Sequence, residues 1–155
     1  MRIHTAYLLR ETAVSVVINA ALSLLVAWLV FGRSGAASVD DAQAFAVDFL
    51  PQALILSLMS SLVPGALTRH RVRQGQIAPL APLARPVPRN LLWRSVLLGV
   101  VAMLVAGGAA LLLSLALWTG PLPLQTVYAI KTVFGVLLAV PVTLLAVRAA
   151  LADGA

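Results

Sequence analysis

The chain has 155 residues, 61% of them hydrophobic and only 10% charged, with a formal net charge of +6. A water-soluble domain of this size is nearer half apolar and a quarter charged, so too few polar residues are present to cover a wetted surface. There is no cysteine, which excludes disulfides, thiolate catalysis and cysteine-ligated metals. The basic residues cluster between long apolar runs, where membrane topology accounts for them and a nucleic-acid partner does not.

Four apolar runs follow one another, at residues 8–31, 45–67, 91–118 and 126–151. About 20 apolar residues cross a hydrocarbon core of roughly 30 Å, so each run is long enough to span. The first has a basic start and is followed by Ser34-Gly35-Ala36-Ala37-Ser38, as a signal peptide would be. Its apolar core exceeds the roughly 7–15 residues of a signal peptide, so it is read as a span. Backbone amides in hydrocarbon must pair within their own segment. The expected fold is therefore all-α: an integral membrane four-helix bundle forming a single transmembrane domain over 1–155.

Between the first two runs, residues 32–44 form a short, small and acidic link in which no site is expected. The link 68–90 carries Pro79, Pro82, Pro86 and Pro88, which rule out a continuous helix and favour extended structure. Arg2, Arg10, Arg69, Arg71, Arg73, Arg85, Arg89, Arg94 and Arg148 all fall on one side of such a bundle, with Arg33 alone opposite. The positive-inside rule places that side, and both chain ends, in the cytoplasm. Tyr7 and Trp93 mark the inner boundary, and Trp28, Trp118 and Tyr128 the outer one. Arg69, Arg71, Arg73, Arg85 and Arg89 are the candidates for contact with anionic lipid headgroups or a protein partner.

The two halves resemble each other. Val63-Pro64, Leu67 and Arg71 recur as Val140-Pro141, Leu144 and Arg148, and Arg10 before Val16-Val17 recurs as Arg94 before Val100-Val101. Both halves run inside to outside to inside, so the repeat predicts a parallel duplication of a transmembrane hairpin. Pro64 and Pro141 each remove a backbone hydrogen bond and are candidate hinges; the plainer reading is a static bend, with the freed carbonyl met by a neighbouring hydroxyl.

Each helix carries small or polar residues four apart, as in Ser15, Asn19, Ser23 and Ala27, or Ala53, Ser57, Ser61 and Gly65. The third has Ala102, Ala106, Ala110 and Ser114, and the fourth Gly135, Ala139 and Thr143 after Lys131. Such ridges let membrane helices approach closely. A polar path around Asn19, Ser57 and Ser61 is the sharper alternative. Lys131 and Asp48 lie at similar depth and are expected either to pair, since an unpaired charge in lipid costs several kcal/mol, or to leave Lys131 reaching outward to headgroups. Glu11 stands near the inner boundary, where Arg94 or Arg148 could neutralise it. His4 and His70, the only histidines, show no ligand spacing, so no cofactor or metal is expected, and neither is enzymatic chemistry.

The stretch Val133-Phe134-Gly135-Val136-Leu137-Leu138-Ala139-Val140-Pro141, leading to Arg148, resembles the second helix of small uncharacterised bacterial two-helix inner-membrane proteins. That resemblance covers one helix and implies two such units in tandem in a bacterial inner membrane. The helix count is also similar to that of small multidrug exporters, although this chain is longer and its Glu11 is not deep in the first helix. Two functions remain open at this stage. One is a non-enzymatic accessory subunit that associates with itself or with a larger membrane complex. The other is a small transporter, carried by Glu11, Asn19, Asp48 and Lys131.

Overall fold

The structure, a computed structural model, describes residues 2–33, 38–81 and 88–153. Four long helical segments make up the bundle, and all four are long and apolar enough to cross a membrane. The first is α1 (Arg2–Ala27), which runs into a π-helical turn, Trp28–Gly32. The second is the short α2 (Ala42–Val47) followed by α3 (Phe49–Arg73). The third is α4 (Leu91–Ala102), a π-helical turn at Met103–Gly107, and α5 (Gly108–Leu117). The fourth is α6 (Leu124–Ala152), unbroken over 29 residues.

Local chemistry sets most of these limits. Asp41 caps α2 by accepting a hydrogen bond from the Ala44 amide at 2.9 Å, and Asn90 caps α4 by accepting from the Leu92 amide at 2.9 Å. Pro51 has no amide hydrogen to offer the Val47 carbonyl, and the second segment breaks at Asp48. Helix α3 continues six residues beyond the expected limit of 67 (68 to 73), and α1 begins six before residue 8 (2 to 8). Three basic residues in the last turn of α3 suit the negative end of the helix dipole there.

The helices interlock across the halves. The first segment packs chiefly along the fourth, the third along the second, and the second and fourth along each other. Within each hairpin the two helices touch far less. The second and fourth segments are accordingly the most buried, at 44% of each apolar window against 28% and 11% for the first and third. Two short strands, which the sequence reading did not foresee, join the links before the second and fourth segments. Here β1 (Ser38–Val39) pairs antiparallel with β2 (Leu122–Pro123).

This arrangement is the same when the halves are exchanged, but in a register that differs from the sequence motif. The contacts exchange under an offset of 82: Gln52 meets Lys131 as Phe49 meets Phe134 (49 to 131, 52 to 134), and the ion-paired Arg71 and Asp153 take like places (71 to 153). The two Val-Pro pairs are 77 apart (64 to 141), five residues out of step. Pro64 therefore faces the interior while Pro141 is exposed on the outer surface. The candidate hinges do not form a symmetric pair.

The small-residue ridges occupy the helix contacts. Ser15, Asn19, Ser23 and Ala27 are all buried, as are Ala53, Ser57, Ser61 and Gly65. A Cβ at Gly107 would stand 3.0 Å from the Phe49 carbonyl oxygen, and one at Gly135 would collide with the Ser23 hydroxyl. In the third segment the π turn adds a residue to one turn of the helix. Gly107 at its end and Ser114 beyond it are buried, while Ala106 and Ala110 are only half-buried.

Candidate functional site

Polar groups run through the bundle in three tiers, mainly where α1, α3 and α6 meet. The first tier lies at the end that carries the arginines. Because α3 stays helical through Arg73, Arg71 reaches the Glu11 carboxylate at 2.5 Å. Arg71 also donates to the Tyr7 hydroxyl at 3.1 Å and lies 5.5 Å from that ring's centre. The Tyr7 and Thr68 hydroxyls are 2.9 Å apart. Glu11 is thus covered, with 7% exposure, where the sequence reading placed it at an open boundary. Its expected partners, Arg94 and Arg148, are corrected: Arg148 is exposed, and Arg94 is held elsewhere.

Arg94, only 2% exposed, pairs with Asp153 at 2.6 Å. Arg69 approaches the same carboxylate oxygen at 2.6 Å and also donates to the Arg89 carbonyl. Each hairpin is therefore latched at this end by an ion pair between its two helices, with the charges reversed. Glu11 meets Arg71 in one half, and Arg94 meets Asp153 in the other.

Five arginines were expected to face headgroups or a partner. Arg69 and Arg71 turn to carboxylates of their own chain, while Arg73 and Arg89 are exposed. Arg85 lies outside the described residues. The link also docks on its own bundle at two points. The Leu80 amide donates to the Leu151 carbonyl at 3.1 Å, and His4 Nε2 lies 2.9 Å from the Ala78 carbonyl oxygen.

The middle tier surrounds Asn19, which is 1% exposed. Its Nδ2 donates to the Ser15 carbonyl at 2.8 Å and to the Ser60 hydroxyl at 2.8 Å. Thr143 Oγ1 sits 2.6 Å from the Ser15 hydroxyl and donates to the Ser60 carbonyl at 3.4 Å. That carbonyl is the one Pro64 leaves without its i−4 donor, so a hydroxyl of α6 meets it as expected. The proposed path through Ser57 and Ser61 is corrected. Asn19 bonds Ser60 instead, and the Ser61 hydroxyl turns back to the Leu58 carbonyl at 3.2 Å.

Beside this tier, α1 and α3 are separated by a cleft of about 150 Å³, lined on one wall by Glu11, Ser15 and Asn19. Asn19 Oδ1 is buried without a hydrogen-bond donor.

The third tier is the ion pair of Lys131 with Asp48, at 3.1 Å. Lys131 has no exposed surface, which overturns the alternative that it reaches outward to headgroups. Its ammonium donates to the Phe45 carbonyl at 3.1 Å and stands 3.5 Å from the Phe49 ring centre and 4.8 Å from that of Phe45. Gln52 Nε2 donates to the Lys131 carbonyl at 3.1 Å. Phe31, Phe45, Phe49, Leu122 and Val127 close this end as an apolar cluster.

Sequence reasoning passed over Asp153 and Ser60, and placed Thr143 on a packing ridge without its hydrogen bonds. Asp153 carried a usable signal, being the only carboxylate after Asp48 and facing a cluster of arginines across the links. Among the described residues, no group of three or more His, Asp or Glu side chains converges as a metal site would require. The three tiers neutralise charge and hold helices in register. Compared with family models, curated proteins and solved structures, the chain matches none.

Proposed function

We propose that this chain is a non-enzymatic, multi-pass protein of the bacterial cytoplasmic membrane, with both ends in the cytoplasm. In this reading it is a parallel duplication of a transmembrane hairpin, and it serves as an accessory subunit that packs against itself or a larger membrane complex. The observation that carries it is charge closure. Glu11, Asp48 and Asp153 pair with Arg71, Lys131 and Arg94, so each of these carboxylates has a counter-ion within the chain. A carrier of ions or protons needs an intramembrane charge free to change partner. A scaffold needs its charges satisfied and its outer faces available. The third segment supports the scaffold reading, since only 11% of its apolar window is buried in the bundle. Arg73 and Arg89 remain available to anionic headgroups.

Purification from native membranes with a mild detergent tests this directly. The expected result is stoichiometric co-purification with another membrane chain or a defined homo-oligomer, unaffected by Glu11→Gln. Proton- or substrate-driven flux in proteoliposomes, abolished by Glu11→Gln or Lys131→Met, would overturn it. A specific observation keeps the transporter as the second reading. The three polar tiers run from Arg71 near one end of the bundle to Lys131 near the other, and Glu11 lines a cleft.

A further inference from the structure

We infer that Arg69, Arg89 and Arg94, gathered around Asp153, hold the headgroup of one anionic phospholipid at the arginine-rich end of the bundle. The inference rests on the proposed membrane placement, which sets this end at the cytoplasmic leaflet. Arg94 Nη1 and Arg69 Nη2 each lie 2.6 Å from the same Asp153 oxygen. Two guanidiniums against one carboxylate leave one positive charge unmatched. No other acidic side chain supplies the balance. Of the chain's five, Glu11 holds Arg71, Asp48 holds Lys131, and Asp40 and Asp41 lie in the link at the opposite end. Arg94 is buried, and its Nη2 has no acceptor among the described residues. Surplus charge beside a buried guanidinium is costly, and an anion at the cluster relieves it.

Access, field and neighbouring surface narrow the occupant. The side chains of Arg69 and Asp153 keep 21% and 18% exposure, and Arg89 is exposed, so an anion can touch the cluster from outside. Arg69 donates to the Arg89 carbonyl, which keeps the start of α4 beside it. The positive end of the α4 dipole adds to the field there, and no acidic residue in its first turn offsets it. Guanidinium groups match phosphate oxygens in geometry as well as in charge. The anion is a lipid headgroup because apolar surface continues from the charge. Leu92, Trp93 and Leu97 are exposed along α4, and an indole at a helix start sits at headgroup level with an acyl chain beyond it. A basic site between helices at the cytoplasmic side suits an anionic lipid, whereas a soluble phosphate would leave that apolar surface unused.

The test is native mass spectrometry of the full-length protein released from nanodiscs that hold phosphatidylglycerol and phosphatidylcholine of the same chains in equal amounts, with inorganic phosphate added in a second arm. The expected result is one phosphatidylglycerol retained about fivefold over phosphatidylcholine, the effect of one unmatched arginine near an anionic lipid. Arg69→Gln leaves Arg94 and Asp153 as a neutral pair and should remove that preference. Asp153→Asn leaves both guanidiniums unmatched and should increase it, a direction that loss of structure does not produce. Arg148→Gln, at an exposed arginine of the same end, should change nothing. Equal retention of the two lipids by protein that has entered the discs would overturn the inference and leave the membrane placement standing; protein that does not enter them would overturn both. A preference reduced as much by Arg148→Gln as by Arg69→Gln would also overturn it, as diffuse attraction to the arginine-rich end. So would retention of inorganic phosphate in place of the lipid.

Discussion

Replacing Lys131 by Met isolates the energetics of the third tier. Methionine keeps the length and flexibility of the side chain but removes its charge, leaving the Asp48 carboxylate without its partner. Breaking a buried ion pair by removing one member typically costs about 3–5 kcal/mol, because the remaining charge is stranded. The Asp48 side chain keeps 13% exposure, so part of its charge can be hydrated. The expected loss is therefore at the lower end, about 3 kcal/mol. Removing both charges with Lys131→Met and Asp48→Asn should recover much of it, with a coupling of at least about 1.5 kcal/mol. Lys131→Arg keeps the charge but must fit a larger planar head among Phe31, Phe45 and Phe49, and should fall between the two.

The assay is reversible unfolding in mixed micelles with increasing SDS, followed by tryptophan fluorescence. Trp118 is a suitable reporter, since its ring centre lies 6.2 Å from that of Phe45. A Lys131→Met protein within about 0.5 kcal/mol of the parent would refute the reasoning, as would a double variant no more stable than the single one. Either outcome would mean that the ammonium is hydrated or that Asp48 is satisfied without it.

Three further outcomes are expected. Gly135→Ala sets a methyl group against Ser23 and 3.1 Å from Leu56 Cδ1, and should destabilise by about 1–3 kcal/mol in the same assay, with Ser23→Gly restoring most of it; Gly108→Ala, which meets nothing within 4 Å, should be harmless. Asp153→Asn releases Arg69 and strands the buried Arg94, so a loss of about 3 kcal/mol is expected, whereas Asp40→Asn, an exposed site, should stay within about 0.5 kcal/mol. Residues 1–84 and 85–155 expressed as separate chains should co-purify as a one-to-one complex, because the first segment packs on the fourth and the third on the second; two halves that fail to associate in native-gel or pull-down measurements would contradict the interlocked arrangement.

Much of the fold could be read from the sequence, because the physics that sets it is local. Long apolar runs and the residues four apart on each helix act within a few positions of themselves. The same locality explains why Ser15, Asn19, Ser23 and Ala27 were assigned to a contact face and proved buried. What escaped was long-range. Glu11 and Arg71 lie 60 positions apart, and Arg94 and Asp153 lie 59 apart. Several arginines were available to each carboxylate, and only the packing of the helices selects among them. The π turn at Met103–Gly107 was equally illegible, because Gly107 and Gly108 permit it without requiring it. The repeat was read from the prolines, whose matching spacing is five residues away from the register in which the helices pack.

That difference bears on how the halves recognise each other. In the packing register, Lys131 occupies the position of Phe49, and Asp48 that of Ile130, 82 residues before and after them. The ion pair at the far end therefore joins one half to the other and has no counterpart across the bundle. If two copies of the second half packed together in the same way, each buried ammonium would face an isoleucine, and two uncompensated charges would result. Two copies of the first half would place a carboxylate near a phenylalanine on both sides. Only the mixed pairing neutralises both charges, so Asp48 and Lys131 favour it over either self-pairing. The latches at the basic end cannot supply this choice, because Glu11–Arg71 and Arg94–Asp153 each close within one half. Shape alone permits three pairings of two like hairpins; the charge buried among Phe31, Phe45 and Phe49 selects one.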